Sequence, residues 1–495
     1  MNDLPLWSTV AVAAPLLGAL ISLIARRVTI QAGLLLGSLG ALAGAAGLWR
    51  ELLRHGAGTH ALGGWGQPLG IEFRVDGLAV GMLAMTALVG TAVALYSTAY
   101  FGDLARVHED RSPGGRAARF FSPLWLLLWT ALNALYLSAD LFNLYVTIEL
   151  FGLTAAAIIT LAVSTTALRA GMRYLLISLV GSMLFLFGVA LLYADYGVLS
   201  LEALAALGPE GTTAAVALAA ITAGMAAKTA LFPLHAWLPP AHGSAPAPGS
   251  AVLSALVVKA SFYVLLRIWV QVYGAAAAPA ATILGVLGAI AIVWGSVLAL
   301  RQTSLKRLIA YSTIAQVGYL FLMLPLLMGG AGEWNADAWR GGVYQMLSHG
   351  VAKAAMFLAA GSMSYAVARD DIDAIAGVAR RIPMSFAAFG LAGLTMAGIP
   401  PSGGFVGKWL LLRSAFGTGA WVWAIVIAAG GLLAAAYVLR PLARALAEPD
   451  PSRDFRAVPR RMEWSAMALA LLSVIMGVRP FEILSLLEIG GLRPW

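Results

Sequence analysis

Long runs of apolar residues follow one another along almost the whole chain, and each is about as long as a bilayer is thick. Of the 495 residues, 60% are hydrophobic and only 11% are charged, whereas soluble domains carry about 25% charged residues. Because a helix needs about 20 apolar residues to cross the hydrocarbon core, the pattern predicts an all-α polytopic membrane protein with about 14 spans. These lie at 4–24, 29–49, 76–101, 118–138, 141–163, 172–193, 213–236, 247–270, 279–300, 307–328, 341–366, 384–411, 417–438 and 463–483.

The basic residues indicate how these spans are oriented. If the N-terminus lies outside, most arginines fall in the cytoplasmic loops, among them Arg380 and Arg381. Lys and Arg are enriched in cytoplasmic loops, so we expect both termini outside, in a prokaryotic-type cell (inner) membrane. The first apolar run is followed, not preceded, by Arg26 and Arg27, which indicates a retained span rather than a cleaved signal. The scatter of basic residues between apolar runs argues against a nucleic-acid partner.

The chain has five lysines, and four of them lie inside predicted spans. A charged side chain at the bilayer centre costs about 2.5–3.5 kcal/mol on insertion scales, so such a residue is expected to be functional. The 27 arginines, by contrast, fall in loops or at span edges. Lysine can lose its proton when desolvated, whereas arginine effectively cannot. We therefore expect four titratable sites inside the membrane: Lys228, Lys259, Lys353 and Lys408.

Acidic residues are rare in the spans. Glu149 lies deep in the fifth span, and Asp140 lies near the entrance of the same helix. A carboxylate and a lysine can both stay charged in hydrocarbon when they lie side by side. Glu149 and Lys228 are therefore the expected pair. An ion pair that merely fastens two helices together is the structural alternative.

Two predicted spans contain helix-breaking residues close to a lysine. The breaks are expected at Pro233 in the seventh span and at Pro400, Pro401 and Gly403 in the twelfth. Unwound backbone at membrane depth is tolerated where it is buried in protein or lines a cavity, although proline and glycine are common in membrane helices. Paired breaks point to a transport site in inverted repeats. We expect two inverted five-helix repeats, spans 4–8 and 9–13, and domains at 1–110, 111–271, 272–445 and 446–495.

The positions of the histidines and the absence of cysteine limit the kinds of site that this chain can form. His349 and Lys353 are four residues apart and share one helix face, whereas His235 and His242 lie near the first break. A histidine bonded to a carbonyl and a lysine reaching toward the membrane surface are the alternatives. Cysteine is absent, which excludes disulfides and thiolate metal sites, and the six histidines show no metal-binding spacing. We expect no metal, no cofactor and no covalent catalysis.

Several segments together resemble a known family. DLFNLYVTIELFGL, KTALFPLHAWLPPAH, SAVLSALVVK, LKRLIAYSTIAQVGYLFL, LSHGVAKAAMF and AGIPPSGGFVGKW are similar to the antiporter-like subunits shared by Mrp-type multisubunit cation/proton antiporters, respiratory complex I and membrane-bound hydrogenases. The resemblance covers residues of about 76 to 445. The chain length, the DLFNLYV entry to the fifth span and the lysine at position 408 look most similar to the Mrp D-type subunit.

The resemblance implies a role for each candidate residue. Lys228 and Glu149 would form a switch, Lys259 would carry the proton onward, and His349 and Lys353 would connect to the exchanging Lys408. His242, His235 and Asp140 would form a secondary path. The implied function is Na⁺ (or K⁺)/H⁺ antiport beside other hydrophobic subunits, including a larger antiporter-like one. A proton-pumping subunit of a redox-driven, complex I-like or hydrogenase assembly is the alternative.

Overall fold

The computed structural model describes residues 3–24, 27–66, 70–107, 113–328, 334–449 and 454–491. Helices make up almost all of the regular structure there. Two short strands, β1 (Gly58–Ala61) and β2 (Glu72–Val75), pair antiparallel between the second and third spans. Arg26, which ends the first apolar run, and the expected domain boundary at 110/111 lie outside the described residues.

Twelve stretches of the described chain are long and apolar enough to cross a bilayer. One of them, Ala247–Leu300, would be about 80 Å long as a single helix, more than twice the ~30 Å hydrocarbon core. Its helix is interrupted at Gly274, where φ is 49°, and it therefore provides two spans. The short helices Pro383–Ala397 and Gly403–Gly417 together provide one more. The fourteen spans expected from the sequence are thus present.

We number these spans 1 to 14 in chain order. Spans 7, 8 and 12 consist of more than one helical segment, and the others are single helices. Their bounds are Leu4–Leu23, Arg27–His55, Gly77–Val107, Pro113–Leu137, Leu141–Thr160, Thr165–Tyr196, Gly211–Thr229 with Leu238–Ser244, Ala247–Val252 with Val258–Arg267, Ala278–Leu300, Leu305–Met328, Ala336–Val367, Pro383–Ala397 with Gly403–Gly417, Trp421–Leu446 and Arg460–Val478.

Spans 7 and 12 are both broken, as the sequence predicts. The first half of span 7 ends at Thr229, and the chain passes through the break at Pro233 before a helix resumes at Leu238. The first half of span 12 ends at Ala397, and the second half begins at Gly403. Pro400 and Pro401 lie between these halves. The Oγ of Ser402 caps the second half by accepting a hydrogen bond from Phe405 N, as helix N-caps commonly do.

Span 8 contains two wider turns that the sequence pattern did not predict. Leu253–Val257 and Ile268–Tyr273 are π-helical. Such turns are rare inside α-helices and are frequent at functional sites. Spans 8 and 10 and most of span 11 are buried along nearly their whole length, whereas only about a third of spans 1 and 13 is buried. Spans 8, 10 and 11 therefore form the centre of the bundle.

Candidate functional site

Lys228 lies in the last turn of the first half of span 7 and is only 4% exposed. Its Nζ donates a hydrogen bond to Ser178 Oγ on span 6 at 2.6 Å, and it lies 5.4 Å from the centre of the Phe151 ring on span 5. Spans 6 and 7 approach closely here, since a Cβ on Gly181 would lie 2.8 Å from the Gly224 carbonyl oxygen. Close backbone approach through small residues is typical of membrane helices, and it holds the lysine stem against span 6.

Glu149 is half-buried on span 5, and its charge acts on Lys228. The two groups do not form the side-by-side ion pair that the sequence suggested, because the amine bonds to Ser178 instead. The Tyr174 hydroxyl is within hydrogen-bonding reach of Ser178 and also feels the Glu149 charge. The amine is therefore held by a hydroxyl group, and the carboxylate acts on it without a direct ion pair.

Gly152 lies one helical turn beyond Glu149 and faces the same amine. A Cβ at this position would lie 2.9 Å from Ser178 Oγ and 3.6 Å from Lys228 Nζ. The first distance is shorter than a carbon–oxygen contact allows, so a larger residue would displace the hydroxyl that holds Lys228. Glycine at this position is thus required by packing at the site rather than by backbone conformation.

Asp140 precedes span 5 and acts as its N-cap. Its carboxylate accepts a hydrogen bond from Asn143 N at 2.7 Å, which is a favourable contact at a helix N-terminus. Partial burial raises the pKa of Asp140 above its ordinary value, and the backbone hydrogen bond opposes this effect. The structure therefore gives Asp140 a structural contact at the entrance of the helix that carries Glu149.

Lys259 is fully buried in span 8, immediately after the first π-turn. Its Nζ donates a hydrogen bond to the Ser254 carbonyl oxygen at 2.5 Å. The Ser254 side chain points to span 10, where its Oγ lies 2.8 Å from Thr313 Oγ1. The first repeat expected from the sequence thus meets the second one beside this lysine.

Lys353 is fully buried in span 11 and also bonds to span 10. Its Nζ donates to the Ile309 carbonyl oxygen at 3.0 Å and to Ser312 Oγ. Ser312 Oγ in turn donates to the same Ile309 carbonyl at 2.8 Å. The lysine amine is therefore held by neutral oxygen atoms of one helical turn.

Lys408 lies in the second half of span 12 and is 5% exposed. Its Nζ donates to the Met396 carbonyl oxygen at 2.6 Å, near the end of the first half of the same span. The amine also lies 4.5 Å from the centre of the Tyr319 ring on span 10, where a cation is attracted to the ring face. Gln316 Nε2 donates to the same Met396 carbonyl at 3.1 Å. The break in span 12 thus leaves the Met396 carbonyl free to accept a hydrogen bond from Lys408.

The three candidate histidines have different surroundings. His349 and His242 are fully buried, and neither ring nitrogen of either residue has a hydrogen-bond partner within the described chain. Lys259, Lys353 and Lys408 all act electrostatically on His349. His242 stacks on Phe357, with ring centres 5.2 Å apart. His235 is half-buried beside Phe232 in the break of span 7 and feels no lysine charge. The structure brings His349 and His242 to the lysines and leaves His235 apart.

The sequence places Arg267 near a span edge and gives no sign of a buried ion pair, which the structure shows. Arg267 is 2% exposed, ends the second α-helical segment of span 8 and donates two hydrogen bonds to Asp76, at 2.6 and 2.7 Å. Its Nε also donates to the Tyr263 hydroxyl at 3.0 Å. Asp76 precedes span 3 and caps it through Ala79 N at 3.0 Å. The pair joins spans 3 and 8 at one end of the bundle.

The fifth lysine, Lys306, was also expected in a loop, but it lies in the first turn of span 10. Its Nζ donates to the Ala245 carbonyl oxygen at 3.0 Å, and its charge acts on His242. Within the described ranges, no group of three or more His, Asp or Glu side chains could hold a metal ion. The five lysine amines thus all bond to neutral oxygens.

Comparison with known proteins identifies the family. The profile described as "NADH:quinone oxidoreductase/Mrp antiporter, TM" matches residues 138–434, more than half of the chain. The chain belongs to this family. A second profile, "NADH-Ubiquinone oxidoreductase (complex I), chain 5 N-terminus", matches residues 66–121. The recognition made from the motifs is therefore confirmed.

Members of both branches of the family are similar to this chain. NADH-quinone oxidoreductase subunit N of Desulforudis audaxviator is 35% identical over 88% of this chain and 85% of its own length. The D-type subunit of the Na⁺/H⁺ antiporter of Bacillus subtilis is 27% identical over 87% of this chain and 85% of its own length. A chain of the Mrp complex from Dietzia sp. has the same fold, with a TM-score of 0.87, 24% identity and coverage of 98% of this chain and 97% of that one.

Proposed function

We propose that the protein is the proton-translocating, antiporter-like subunit of a multisubunit Mrp-type Na⁺ (or K⁺)/H⁺ antiporter. One observation carries this proposal: the buried amines of Lys228, Lys259, Lys353 and Lys408 are all held by neutral oxygens. A lysine held by neutral groups can exist with or without its proton, because no fixed carboxylate ties it to the charged form. Such residues can receive and pass on protons.

The proposed path has two linked half-channels. The first, in 111–271, contains Glu149, Lys228 and Lys259, and the second, in 272–445, contains His349, Lys353 and Lys408. Movement of Glu149 toward Lys228 would replace the Ser178 contact by an ion pair, and its withdrawal would release a proton toward Lys259. The titrations are coupled, so no single proton affinity belongs to one residue. His242, on which the charges of Lys353, Lys259 and Lys306 act, would serve a secondary path.

The proposed assembly lies in a prokaryotic-type cell membrane with both termini outside. Its partners would be other hydrophobic subunits, including a larger antiporter-like one, and the ions moved would be protons and a monovalent cation. Large apolar side chains such as Leu176, Val180 and Met183 on span 6 are exposed. Such exposed apolar side chains are suited to contact with lipid or with neighbouring subunits.

A second candidate is a proton-pumping membrane subunit of a redox-driven complex. The 35% identity to a subunit N of NADH-quinone oxidoreductase over most of both chains favours it. In this case electron transfer in other subunits would drive the same lysine series. The two candidates differ in the energy source and not in the proton path.

Everted membrane vesicles that contain the whole assembly distinguish these candidates. After respiration has acidified the vesicle interior, addition of NaCl or KCl should dissipate the pH gradient, as followed by a pH-sensitive dye, whereas choline chloride should not. Proton uptake that instead needs an electron donor and ignores added cations supports the redox assembly. Mass spectrometry of co-purified subunits gives an independent answer.

Substitutions test the proton path in the same vesicles. Lys228→Ala and Glu149→Ala should abolish proton movement, because each removes one member of the proposed switch. Glu202→Ala is the matched control, since Glu202 is an acidic residue that is 77% exposed outside the spans. Near-normal transport by Lys228→Ala would refute the proposed function.

A further inference from the structure

The hydrogen bond between Ser254 and Thr313 joins span 8 to span 10, and so joins the two proposed repeats. Both side chains are fully buried, and their hydroxyl oxygens are 2.8 Å apart. In membrane helices, serine and threonine hydroxyls more often bond to a carbonyl of their own helix. A buried hydroxyl pair between two helices therefore needs a separate explanation.

Each of the two residues is linked to a carbonyl oxygen that accepts a hydrogen bond from a lysine. For Ser254 this is its own carbonyl, and for Thr313 it is the carbonyl of Ile309. Lys259 donates to the Ser254 carbonyl at 2.5 Å, within the π-turn Leu253–Val257. Thr313 Oγ1 donates to the Ile309 carbonyl at 3.0 Å, and Lys353 Nζ donates to the same oxygen at 3.0 Å. One residue of span 8, Ser254, and two residues of span 10, Thr313 and Ile309, thus separate the amine of the first half from the amine of the second.

His349, the group expected to connect these lysines, has no such bonds. Both of its ring nitrogens lack a hydrogen-bond partner in the part of the chain that the structure describes. The bonded connection between Lys259 and Lys353 therefore runs through Ser254 and Thr313. The imidazole contributes through its proximity to the lysine charges.

The chain contains an internal comparison for Thr313. Span 5 reads YVTIELFG from Tyr145, and span 10 reads YSTIAQVG from Tyr311, so Thr147 occupies the position that corresponds to Thr313. The Thr147 hydroxyl donates to the carbonyls of Asn143 and Leu144, both at 2.9 Å and both on its own helix. The cross-helix bond of Thr313 is therefore not a general property of a threonine at this position.

We propose that Ser254 and Thr313 are positioning residues for proton transfer between the two half-channels. Their hydrogen bond fixes the Ser254 and Ile309 carbonyls relative to each other, and so fixes the amines of Lys259 and Lys353. The carbonyls do not carry the proton, and the hydroxyls act through the two lysines. The inference rests on the proposed function, since it assumes that protons pass between these amines.

Three substitutions test the proposal in vesicles that contain the whole assembly, with cation-driven proton movement as the readout. Thr313→Val keeps the shape and removes the hydroxyl, and transport should fall at least about tenfold, because misplacement of reacting groups by about 1 Å can cost 10²-fold. Thr313→Ser restores the hydroxyl and should keep transport within about twofold of the wild type. The matched control Thr147→Val should also stay within about twofold, since it loses bonds within one helix only.

Ser254→Ala gives a second approach to the same bond. It should lower transport as much as Thr313→Val, and the double variant should be no worse than either single one, because both remove one interaction. Near-normal transport by Thr313→Val or by Ser254→Ala overturns the proposal. A Thr313→Ser variant as inactive as Thr313→Val also overturns it, since the hydroxyl would then not be sufficient for transport. A double variant whose losses multiply overturns it as well.

The Lys228→Ala variant separates this inference from the proposed function. If Lys228→Ala is inactive and Thr313→Val is active, the positioning role alone is wrong. If Lys228→Ala transports normally, the proposed function is wrong. Immunoblotting of the purified assembly, done for every variant, shows that equal amounts of the subunit are compared.

Discussion

Replacing Asp76 should destabilise the protein far more than replacing an exposed acidic residue. The side chains of Asp76 and Arg267 are 1% and 3% exposed, and two hydrogen bonds of 2.6 and 2.7 Å join them. Removal of one partner leaves the other charge buried and unpaired, which costs about 3–5 kcal/mol. Asp76 also caps span 3 through Ala79 N, and loss of a cap costs about 1 kcal/mol. Asp76→Ala should therefore cost about 4–6 kcal/mol in all.

Two further variants separate these contributions. Asparagine can still cap a helix, so Asp76→Asn should be about 1 kcal/mol less destabilising than Asp76→Ala. Arg267→Met in the Asp76→Ala background removes the unpaired charge and should recover part of the loss, because paired removal is often much less costly than removal of one partner. The two sites are in contact, so their effects should not add.

Thermal unfolding of the purified protein in detergent, followed by fluorescence-detected size-exclusion chromatography, measures these effects. The control is Glu202→Ala, whose ion pair with Arg74 is long, at 3.7 Å, and largely exposed on the glutamate side. Such a pair contributes about 0–1 kcal/mol. A thermal midpoint for Asp76→Ala equal to that of Glu202→Ala would refute the reasoning. So would a double variant, Asp76→Ala with Arg267→Met, whose loss of stability equals the sum of the losses of its two single variants.

Three other outcomes are expected. Burial alone would raise the pKa of Asp76, but the Arg267 charge and hydrogen bonds hold this pKa below its ordinary value of 3.8. The ionised Asp76 therefore stabilises the fold fully above about pH 4, and this stabilisation is lost as the pH falls further. Thermal midpoints measured from pH 7 to pH 3 should fall more steeply for the wild type than for Asp76→Asn. Gly152→Ala, which pushes a methyl group against the oxygen that holds an amine, should lower proton transport in vesicles about tenfold at a stability cost of about 1–3 kcal/mol. His349→Ala should reduce transport strongly and His235→Ala should not, because lysine charges act on His349 and not on His235. Equal effects of the two substitutions in the vesicle assay would contradict the place of His349 in the proton path.

The sequence was sufficient to predict the fold and the position of four lysines inside the spans for a simple physical reason. Charged residues within apolar runs are rare and expensive, so Lys228 and Lys408 stand out in hydropathy alone. Proline and glycine likewise mark the broken spans because they disrupt helical hydrogen bonding. The spacing of residues along the chain does not give distances between helices, and the separation of Glu149 from Lys228 could not be derived from it.

The groups that hold the lysines carry no such signal. Ser178, Ser254 and Ser312 look like any small hydroxyl residue in a membrane helix, where such side chains commonly bond to their own backbone. The Asp76–Arg267 pair is invisible for another reason: its members are 191 residues apart. Arg267 lies a few residues before the end of an apolar run, so a count of flanking charges places it at a span edge.

The buried lysines also limit how many protons the bundle can hold. The acidic group whose charge acts on Lys228 is Glu149, whereas Lys259, Lys353 and Lys408 bond to neutral oxygens. If all four amines were protonated together, positive charges would outnumber the facing negative charge, and each uncompensated ion would cost several kcal/mol. Lys259 acts electrostatically on Lys353, so these two amines should not hold protons at the same time. If protons pass between them as proposed, a proton that enters one half-channel favours departure from the other, and the bundle acts as a store of small, fixed capacity.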